Sequence, residues 1–257
     1  MNGNSRTALV TGTAGIALGI ATRLLADGFK VILCGNDRAQ NDAARTTFAG
    51  ADLEVVELDV SKADAVEAFA RDLAARQPTL DALVNCAAIQ TYGDIETTKP
   101  ADWEKVIGIN LTGYYLMAHF FYPLLKANGS ASIVNVASVQ GHLNQHNVLG
   151  YATSKGAIHA LTRALAVDCA KHGVRVNSIS PGSIRTPLLE FSARSLTPPG
   201  GDVEATMAGF GKAHPIGRVG TVEEVGALVS FLVGPESGFC TGGDYPVDGG
   251  LKAFLNV

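Results

Sequence analysis

Charged residues are scarce in this chain. Asp, Glu, Lys and Arg together make up 17% of the 257 residues, and the formal net charge is −4. Without a basic surplus there is no reason to expect nucleic acid or an anionic membrane as a partner. Apolar residues make up 47% of the chain, which is enough to fill the core of one large α/β domain.

Cysteines are few and scattered. The four are Cys34, Cys86, Cys169 and Cys240, and no two form a Cys-x-x-Cys pair. This spacing argues against a disulfide framework and a structural zinc site, so we interpret them as reduced thiols. His142 and His146 are four residues apart, but no third ligand accompanies them, and we predict no metal site.

Long apolar runs are also absent. No stretch reaches the roughly 18 uncharged apolar residues of a membrane-spanning helix. The first residues, MNGNSRTALVTG, enter a predicted strand almost at once and leave no room for the apolar core of a signal peptide. We therefore expect a soluble, cytoplasmic protein.

Short apolar runs alternate with helical patterns along the chain. Because several runs are apolar almost throughout, they read as strands covered on both faces. The predicted strands are 7–11, 30–34, 53–58, 82–85, 131–137, 174–180 and 245–248. The predicted helices are 17–27 (ended by Gly28), 63–76, one from Ala101 that bends near Pro123, 149–172, and one opening with Thr221 and Glu224 in capping-box spacing.

This alternation predicts an α/β fold with right-handed crossovers. We expect a Rossmann-type, doubly wound, seven-stranded parallel sheet with helices on both faces, and a single domain over residues 1–257. The one long irregular stretch, 183–219, contains four of the ten prolines. A segment of that length is typical of a substrate lid or an oligomer contact, and its apolar members are Leu188, Leu189, Phe191, Met207 and Phe210.

A glycine-rich turn follows the first strand. Gly12, Gly15 and Gly19 lie where the strand passes into a helix, and glycines there let backbone N–H groups approach a pyrophosphate. After the second strand, dinucleotide folds place an acid that binds ribose hydroxyls or an arginine that accepts a 2′-phosphate. Here Asn36, Asp37 and Arg38 leave both choices open, with a lean to NAD because the glycine turn holds no basic residue.

Tyr151 and Lys155 are four residues apart on one predicted helix. A nearby ammonium lowers the pKa of a phenol, which can then exchange a proton with an alcohol or carbonyl oxygen. Ser138 ends a predicted strand at the sheet edge where α/β folds bind ligands, and its hydroxyl could hold the substrate oxygen. An amphipathic helix surface is the alternative for the Tyr–Lys pair, so its context matters.

That context resembles the short-chain dehydrogenase/reductase family over essentially the whole chain. The matching pieces are Thr11-Gly12, Asp59, Asn85-Cys86-Ala87-Ala88, Asn110, Ser138, Tyr151/Lys155, Pro181-Gly182 and Asp248-Gly249-Gly250. The resemblance implies that Ser138, Tyr151, Lys155 and Asn110 are catalytic, with Asn110 holding a water that links Lys155 to solvent. It also implies a homotetramer assembled through the helices that carry Asn110 and Tyr151.

The resemblance further implies an NAD or NADP site. Its expected residues are Gly12, Thr13, Gly15, Ile16, Ala17, Asn36, Asp37, Asp59, Val60, Asn85, Ala87, Tyr151, Lys155, Pro181, Gly182, Ile184 and Thr186. Two departures from the family pattern stand out. The glycine turn is one residue shorter, with Ala17 replacing the last glycine, and the Asn85 block lacks its glycine. An added Cβ crowds the approach to the pyrophosphate, so we expect altered loop geometry.

The segment between Ser138 and Tyr151 resembles the family's substrate wall and is rich in hydrogen-bonding groups, namely Gln140, His142, Asn144, Gln145, His146 and Asn147. We expect Ser138, Gln140, His146 and Tyr151 to bind the substrate. A polyhydroxylated substrate matches such a wall; a polar loop facing solvent is the alternative.

Three functions follow. The first is reversible hydride transfer between a secondary alcohol and a ketone, with a sugar or polyol as a candidate substrate. The second is 3-oxoacyl or general carbonyl reduction at the same site. The third is a catalytically silent nucleotide-binding regulator, against which the complete Ser138/Tyr151/Lys155/Asn110 set argues.

Overall fold

One parallel sheet of seven strands forms the centre of the molecule. The computed structural model describes residues 6–255, so the start of the N-terminal segment examined above lies outside the described residues. The strands are β1 Arg6–Thr11, β2 Phe29–Gly35, β3 Leu53–Glu57, β4 Ala82–Asn85, β5 Ser132–Val136, β6 Arg175–Pro181 and β7 Asp244–Val247. All seven predicted strands are confirmed, each boundary to within one residue.

Helices connect the strands. They are α1 Ile16–Ala26, α2 Arg38–Thr47, α3 Ala63–Arg76, α4 Pro100–Ile107, α5 Gly113–Asn128, α6 Leu149–Cys169, α7 Pro187–Leu196, α8 Val203–Lys212 and α9 Val222–Val233. The capping box of Thr221 and Glu224 is confirmed at the start of α9. Gly28 follows α1 with φ of +81°, as expected of a glycine that ends a helix.

The strand order is β3-β2-β1-β4-β5-β6-β7, and every neighbouring pair is parallel. Alternate residues of each strand therefore point to opposite faces. Leu9 and Ile32 join the core beneath α3 and α5, whereas Val10 and Leu33 join the core beneath α1 and α9. The order reverses between β1 and β4, the position at which doubly wound sheets open a ligand-binding crevice.

Helix α2 was not predicted. Its sequence, RAQNDAARTT, buries only Asn41 and Ala44, so it lacks the apolar stripe on which helix prediction depends. Asp37 caps it, and its carboxylate accepts a hydrogen bond from the backbone N–H of Gln40 at 2.9 Å. The residue considered above for ribose binding therefore also begins a helix.

The helix expected from Ala101 onward runs without a break from Pro100 to Asn128, but it contains a turn that the sequence did not predict. A π-helical turn at Gly108–Thr112 separates α4 from α5, and Pro123 lies inside α5. The wide turn carries Asn110, whose side-chain amide bonds to both backbone groups of Ile89. π-Turns of this kind often occur at functional sites.

The stretch 183–219, expected to be irregular, contains α7 and α8. Thr186 caps α7 with Pro187 at its first turn, and Asp202 caps α8. Proline suits the first turn of a helix because its missing N–H would have no partner there. The prolines mark the boundaries of these helices, and treating them as helix breakers was the error.

Within residues 6–255, no helix combines the length and apolar character needed to cross a membrane. In the same residues all four cysteines are free thiols; Cys34 and Cys169 are buried, and Cys86 and Cys240 are half-buried.

Candidate active site

A cleft of about 850 Å³ runs across the carboxyl ends of the central strands, at the point where the strand order reverses. It brings together most of the site residues expected from the sequence. These are Gly12, Thr13, Gly15, Ile16, Ala17, Asn36, Asp37, Asp59, Val60, Ala87, Ser138, Gln140, Tyr151, Lys155, Pro181, Gly182, Ile184 and Thr186. Asn85, Asn110 and His146 do not line the cleft.

The glycine turn forms one end of this cleft. Gly12 has φ of +101° and Gly15 has φ of +57°, backbone conformations that residues with a side chain rarely adopt. Gly15 precedes α1, and within the described residues no side chain caps α1 and no acid occupies its first turn. The N-terminal N–H groups of α1 therefore face the cleft without a protein anion beside them, which suits a phosphate.

Ala17, the residue that departs from the family pattern, is buried at this turn. Its Cβ lies 3.3 Å from the position that a Cβ on Gly12 would occupy. The methyl group thus packs against the bend of the turn, where a side chain at Gly12 has no room. Because Gly12 has no side chain, the shortened turn has room for the methyl group of Ala17.

Two further acids lie toward the β2–β3 end of the cleft. Asp59 accepts hydrogen bonds from the N–H and hydroxyl of Ser61, at 3.0 and 2.7 Å. Asp37 caps α2 and stands beside Asn36 on the cleft wall. Arg38, by contrast, does not line the cleft.

The Asn85 block supports the cleft from within the sheet. The Asn85 amide donates to Asn135, which donates in turn to Thr162, at 2.9 and 3.0 Å. The Thr11 hydroxyl accepts hydrogen bonds from the N–H groups of Cys86 and Ala87. Asn85 is fully buried and acts through these bonds, which hold the block against β1 and β5.

Tyr151, Lys155 and Ser138 meet in the middle of the cleft. The Tyr151 phenol and the Ser138 side chain line the same part of the cleft. Ser138 also accepts from the N–H of Gln140 at 3.1 Å, which fixes its orientation. The Lys155 ammonium donates to the carbonyl of Val136 at 2.7 Å and stands 5.5 Å from the centre of the Tyr151 ring.

Burial sets the protonation of this group. It raises the pKa of Tyr151 to about 12, although the neighbouring Ser138 side chain acts in the opposite direction. Burial also lowers the pKa of Lys155 to about 8. The expected lowering of the phenol pKa by Lys155 is therefore corrected, because the ammonium points at the Val136 carbonyl and desolvation dominates.

Asn110 lies behind this group, fully buried. Its amide nitrogen donates to the Ile89 carbonyl and to the Ser154 hydroxyl, at 2.9 and 3.1 Å, and its oxygen accepts from the Ile89 N–H. Ser154 in turn donates to the carbonyl of Tyr151. Asn110 thus ties the loop after β4 to the helix that carries Tyr151.

Two glutamines face the cleft with unused hydrogen-bonding atoms. The Gln90 side-chain nitrogen and the Gln140 side-chain oxygen are buried without a partner among the residues that the structure describes. The nearby Tyr92 hydroxyl is in the same condition, and its ring packs 6.1 Å from that of Phe191. Buried polar atoms in native proteins normally have partners, so these atoms point to a polar ligand.

Sequence reasoning missed Gln90, which follows β4 in a loop that carries no periodic signal. It also missed His214, which lines the cleft from beyond α8. The His214 ring accepts from the N–H of Ser183 at 3.0 Å, and its other nitrogen lies 2.9 Å from the Phe210 carbonyl. No spacing in the sequence connects His214 to Ser183.

Helices α7 and α8 cover the opposite side of the cleft. Leu188, Leu189, Phe191 and Phe210 face the cavity from these helices, whereas Met207 packs beneath them. His146 lies on the outer side of the wall loop and lines a separate shallow groove. The cleft therefore has one polar wall and one apolar cover.

Comparisons with known proteins agree with this geometry. A family model described as enoyl-(acyl carrier protein) reductase matches residues 10–252. The chain is 37% identical over 250 residues to the short-chain reductase protein NovJ of Streptomyces niveus, covering 95% of this chain and 92% of that protein. It is 36% identical over 246 residues to an L-fucose dehydrogenase of Oryctolagus cuniculus, covering 95% and 84%.

A solved structure gives the same result. The ligand-free aldohexose dehydrogenase of Thermoplasma acidophilum superimposes with a TM-score of 0.90 at 33% identity, covering 98% of this chain and 96% of that one. Family model, relatives and fold agree over nearly the whole length. The chain belongs to the short-chain dehydrogenase/reductase family and is an NAD(P)-dependent oxidoreductase that interconverts alcohol and carbonyl groups.

Proposed function

We propose that the protein oxidises a secondary alcohol of a small polyhydroxylated molecule to a ketone, and reduces the ketone in reverse, with NAD as the preferred dinucleotide. The unpartnered polar atoms of Gln90 and Gln140, in the same cleft as Ser138 and Tyr151, carry this proposal. Hydroxyl groups on the substrate would satisfy both atoms, whereas an apolar substrate would leave them unpaired at a cost of about 1–3 kcal/mol each.

The proton is handled by Tyr151. As phenol it donates to the carbonyl oxygen during reduction, and as phenolate it accepts the hydroxyl proton during oxidation. Ser138 holds the substrate oxygen beside the phenol. Lys155 would hold the nicotinamide ribose, and Asn110 links the loop after β4 to the helix of Tyr151 through Ile89 and Ser154.

The residues of the cleft fit a dinucleotide. The uncapped N-terminus of α1 and the backbone of Gly12–Ala17 would hold the pyrophosphate. Asp59 and Val60 would contact the adenine, and Pro181, Gly182, Ile184 and Thr186 the nicotinamide. Bound there, the nicotinamide supplies the hydride chemistry.

The preference for NAD rests on charge. Asn36 and Asp37 line the cleft where the adenosine ribose would lie, and Arg38 does not line it. A carboxylate at that place accepts hydrogen bonds from the ribose hydroxyls and repels a 2′-phosphate. We therefore expect NADP to bind more weakly than NAD.

The names of two relatives support the substrate class. One matched protein is an L-fucose dehydrogenase and the superimposed structure is an aldohexose dehydrogenase, so both names specify sugars. General carbonyl reduction is the second candidate, favoured by the apolar cover of Leu188, Leu189 and Phe191 and by the reductase name of NovJ.

A substrate panel tests the proposal. Formation of reduced dinucleotide would be followed by its near-ultraviolet absorbance, with aldohexoses, polyols and cyclic alcohols as substrates and each dinucleotide in turn. We expect the highest kcat/KM with a sugar or polyol and NAD. Highest turnover on 3-oxoacyl thioesters or simple ketones would favour the second candidate. Dinucleotide binding without any turnover would favour a silent regulator.

Gln140→Leu should separate polar from apolar substrates. Removing the amide should raise KM for a polyol about 5- to 150-fold, since about 1–3 kcal/mol of binding is lost with one buried hydrogen bond, and should leave a cyclic alcohol unaffected. His146→Leu is the matched control, because His146 belongs to the same loop but lies outside the cleft. Equal loss for both substrates in Gln140→Leu would contradict the assignment.

The two directions should respond differently to pH. Because the pKa of Tyr151 is about 12, the phenolate fraction grows about tenfold per pH unit below that value, and oxidation should accelerate accordingly from about pH 6 to pH 8. Reduction uses the phenol, so its rate should be constant over that range. It should then decline above about pH 8, where Lys155 loses its proton. Initial rates in both directions would check this, and a pH-independent oxidation would contradict it.

We also propose a homotetramer built on the helices that carry Tyr151 and flank Asn110. Apolar side chains on these helices are open to solvent in the single chain: Tyr115 is 49% exposed and Val167 is 79% exposed. Exposed apolar groups of this kind mark interaction surfaces. A monomer mass by light scattering would contradict this assembly.

A further inference from the structure

Two imidazoles and a carboxylate meet behind the polar wall of the cleft, apart from the proposed catalytic residues. His142 follows the turn after Ser138, His159 lies one helical turn beyond Lys155 on α6, and Asp244 opens β7. One potential ligand atom from each lies within 4.8 Å of the other two. The spacing of four residues suggested His146 as the neighbour of His142, but His146 is not a member of this cluster. Asp244 could not be found in this way, because it lies 102 residues from His142 in the sequence.

We propose that His142, His159 and Asp244 bind a divalent transition-metal ion such as Zn²⁺. Nε2 of His142 lies 2.8 Å from one Asp244 oxygen, and Nε2 of His159 lies 3.5 Å from the other. A tetrahedral Zn²⁺ with bonds of about 2.0–2.1 Å holds neighbouring ligand atoms about 3.3 Å apart. The two rings are stacked, with centroids 4.1 Å apart and planes 28° apart, so they would turn toward a common point as the ion binds. Two imidazoles with one carboxylate suit Zn²⁺ better than Mg²⁺ or Ca²⁺.

The carboxylate is held by an outer layer of hydrogen bonds. The hydroxyls of Ser178 and Ser180 donate to one Asp244 oxygen at 2.9 and 2.8 Å. The Ser180 hydroxyl also lies 2.9 Å from the second Asp244 oxygen. Such partners fix the direction of a ligand, as the outer layers of metal sites do.

The two imidazoles differ in access. His159 is 6% exposed, and its Nε2 also lies 3.1 Å from the Ser180 hydroxyl, which an ion would displace. The His142 side chain is 32% exposed, which leaves an entry path and room for a water as fourth ligand. The ion would join the turn after Ser138, the helix of Tyr151 and Lys155, and the first residue of β7, and would stiffen the polar wall.

Lys252 opposes an ion at this position. Its ammonium lies 3.6 Å from the Asp244 carboxylate and neutralises it in the ion-free protein. Lys252 belongs to the short turn Leu251–Ala253, and its side chain is 25% exposed, so it can move outward when an ion enters. Arg163 also repels positive charge at His159. Ammonium and metal ion thus compete for Asp244, and removing the ammonium should tighten binding.

Calorimetric titration with Zn²⁺ tests the site on the full chain after treatment with a chelator. We expect one ion per chain. His142→Ala should weaken binding at least about a hundredfold, and Ser180→Ala about 10–100-fold as an outer-layer partner. Lys252→Ala should bind more tightly than the wild type. His146→Ala, in the same loop but outside the cluster, should bind as the wild type does.

Co²⁺ substitution identifies the ligands independently. Visible absorption bands of a low-coordinate Co²⁺ site should be present in the wild type and absent from His142→Ala. His159 is buried and its alanine variant can unfold, so His142→Ala decides the question. Absence of binding, or equal affinity in His142→Ala and the wild type, would overturn the proposal. An intense near-ultraviolet thiolate–Co²⁺ band would assign the ion to a cysteine and would overturn it equally.

Discussion

Tyr151→Phe should lower kcat about 10²–10⁴-fold, the range that a positioned proton donor contributes. The Tyr151 phenol lines the cleft together with Ser138, and the substitution removes only its hydroxyl group. The ring remains in place, so the affinity for the dinucleotide should change little. Steady-state rates in both directions and a fluorescence titration of the dinucleotide would measure the two effects separately.

Tyr114→Phe is a matched control for this experiment. Tyr114 is also buried and near Lys155, 5.6 Å from ring centre to ammonium, but its hydroxyl donates to the Val136 carbonyl and it does not line the cleft. In Tyr114→Phe the Val136 carbonyl still accepts a hydrogen bond from Lys155, so the free energy of unfolding should fall by only about 1 kcal/mol. The kcat of this variant should be of the same order as that of the wild type. If both variants lost activity equally, the loss would reflect packing, and Tyr151 would not be the proton donor.

Gly19→Val should destabilise the protein by about 3 kcal/mol or more, at or above the upper end of overpacking costs. A Cβ on Gly19 would lie 2.5 Å from the Val222 carbonyl oxygen, and one on Gly226 would lie 2.7 Å from the Gly19 oxygen. Helices α1 and α9 therefore touch through their backbones. The expected fall in Tm is about 2–4 °C per kcal/mol for a chain of this size, and thermal unfolding would measure it.

Gly209→Val is the control for a glycine inside a helix. Gly209 lies in α8, and a Cβ there meets nothing within 4 Å. Replacing it should stabilise the chain by a few tenths of a kcal/mol, since valine has a higher helix propensity than glycine. If Gly19→Val unfolded at the same temperature as Gly209→Val, the close contact between α1 and α9 would not contribute to stability.

The sheet could be predicted from the sequence because its strands are buried on both faces and read as uninterrupted apolar runs. The segments KVILC and ASIVNVA, for example, are too short and too apolar to be interpreted as anything but buried strands. Helix α2 was missed for the converse reason, since it covers the sheet with Asn41 and Ala44 and has no apolar stripe. The π-turn at Asn110 arises from a tertiary bond to Ile89, which no local pattern reveals.

In the site, the sequence located the residues but not their electrostatics. The structure places Tyr151 and Lys155 on one helix and in one cleft, as their spacing predicts. The direction in which the ammonium points depends on the Val136 carbonyl, a contact across the fold. Gln90 and His159 gained significance only from neighbours distant in sequence. Local spacing predicts residues that share a helix, and it cannot predict what two loops bring together.

The contact between the glycine turn and the start of α7 restricts how this chain can be altered. A Cβ on Gly15 would lie 3.2 Å from Thr186 and 3.7 Å from Pro187. Changes made at the start of α7 to reshape the substrate cover therefore press on the turn expected to bind the pyrophosphate. Laboratory evolution toward new alcohols would do better to vary the Gln90 and Gln140 side of the cleft, where substrate preference can change without an accompanying loss of affinity for the dinucleotide.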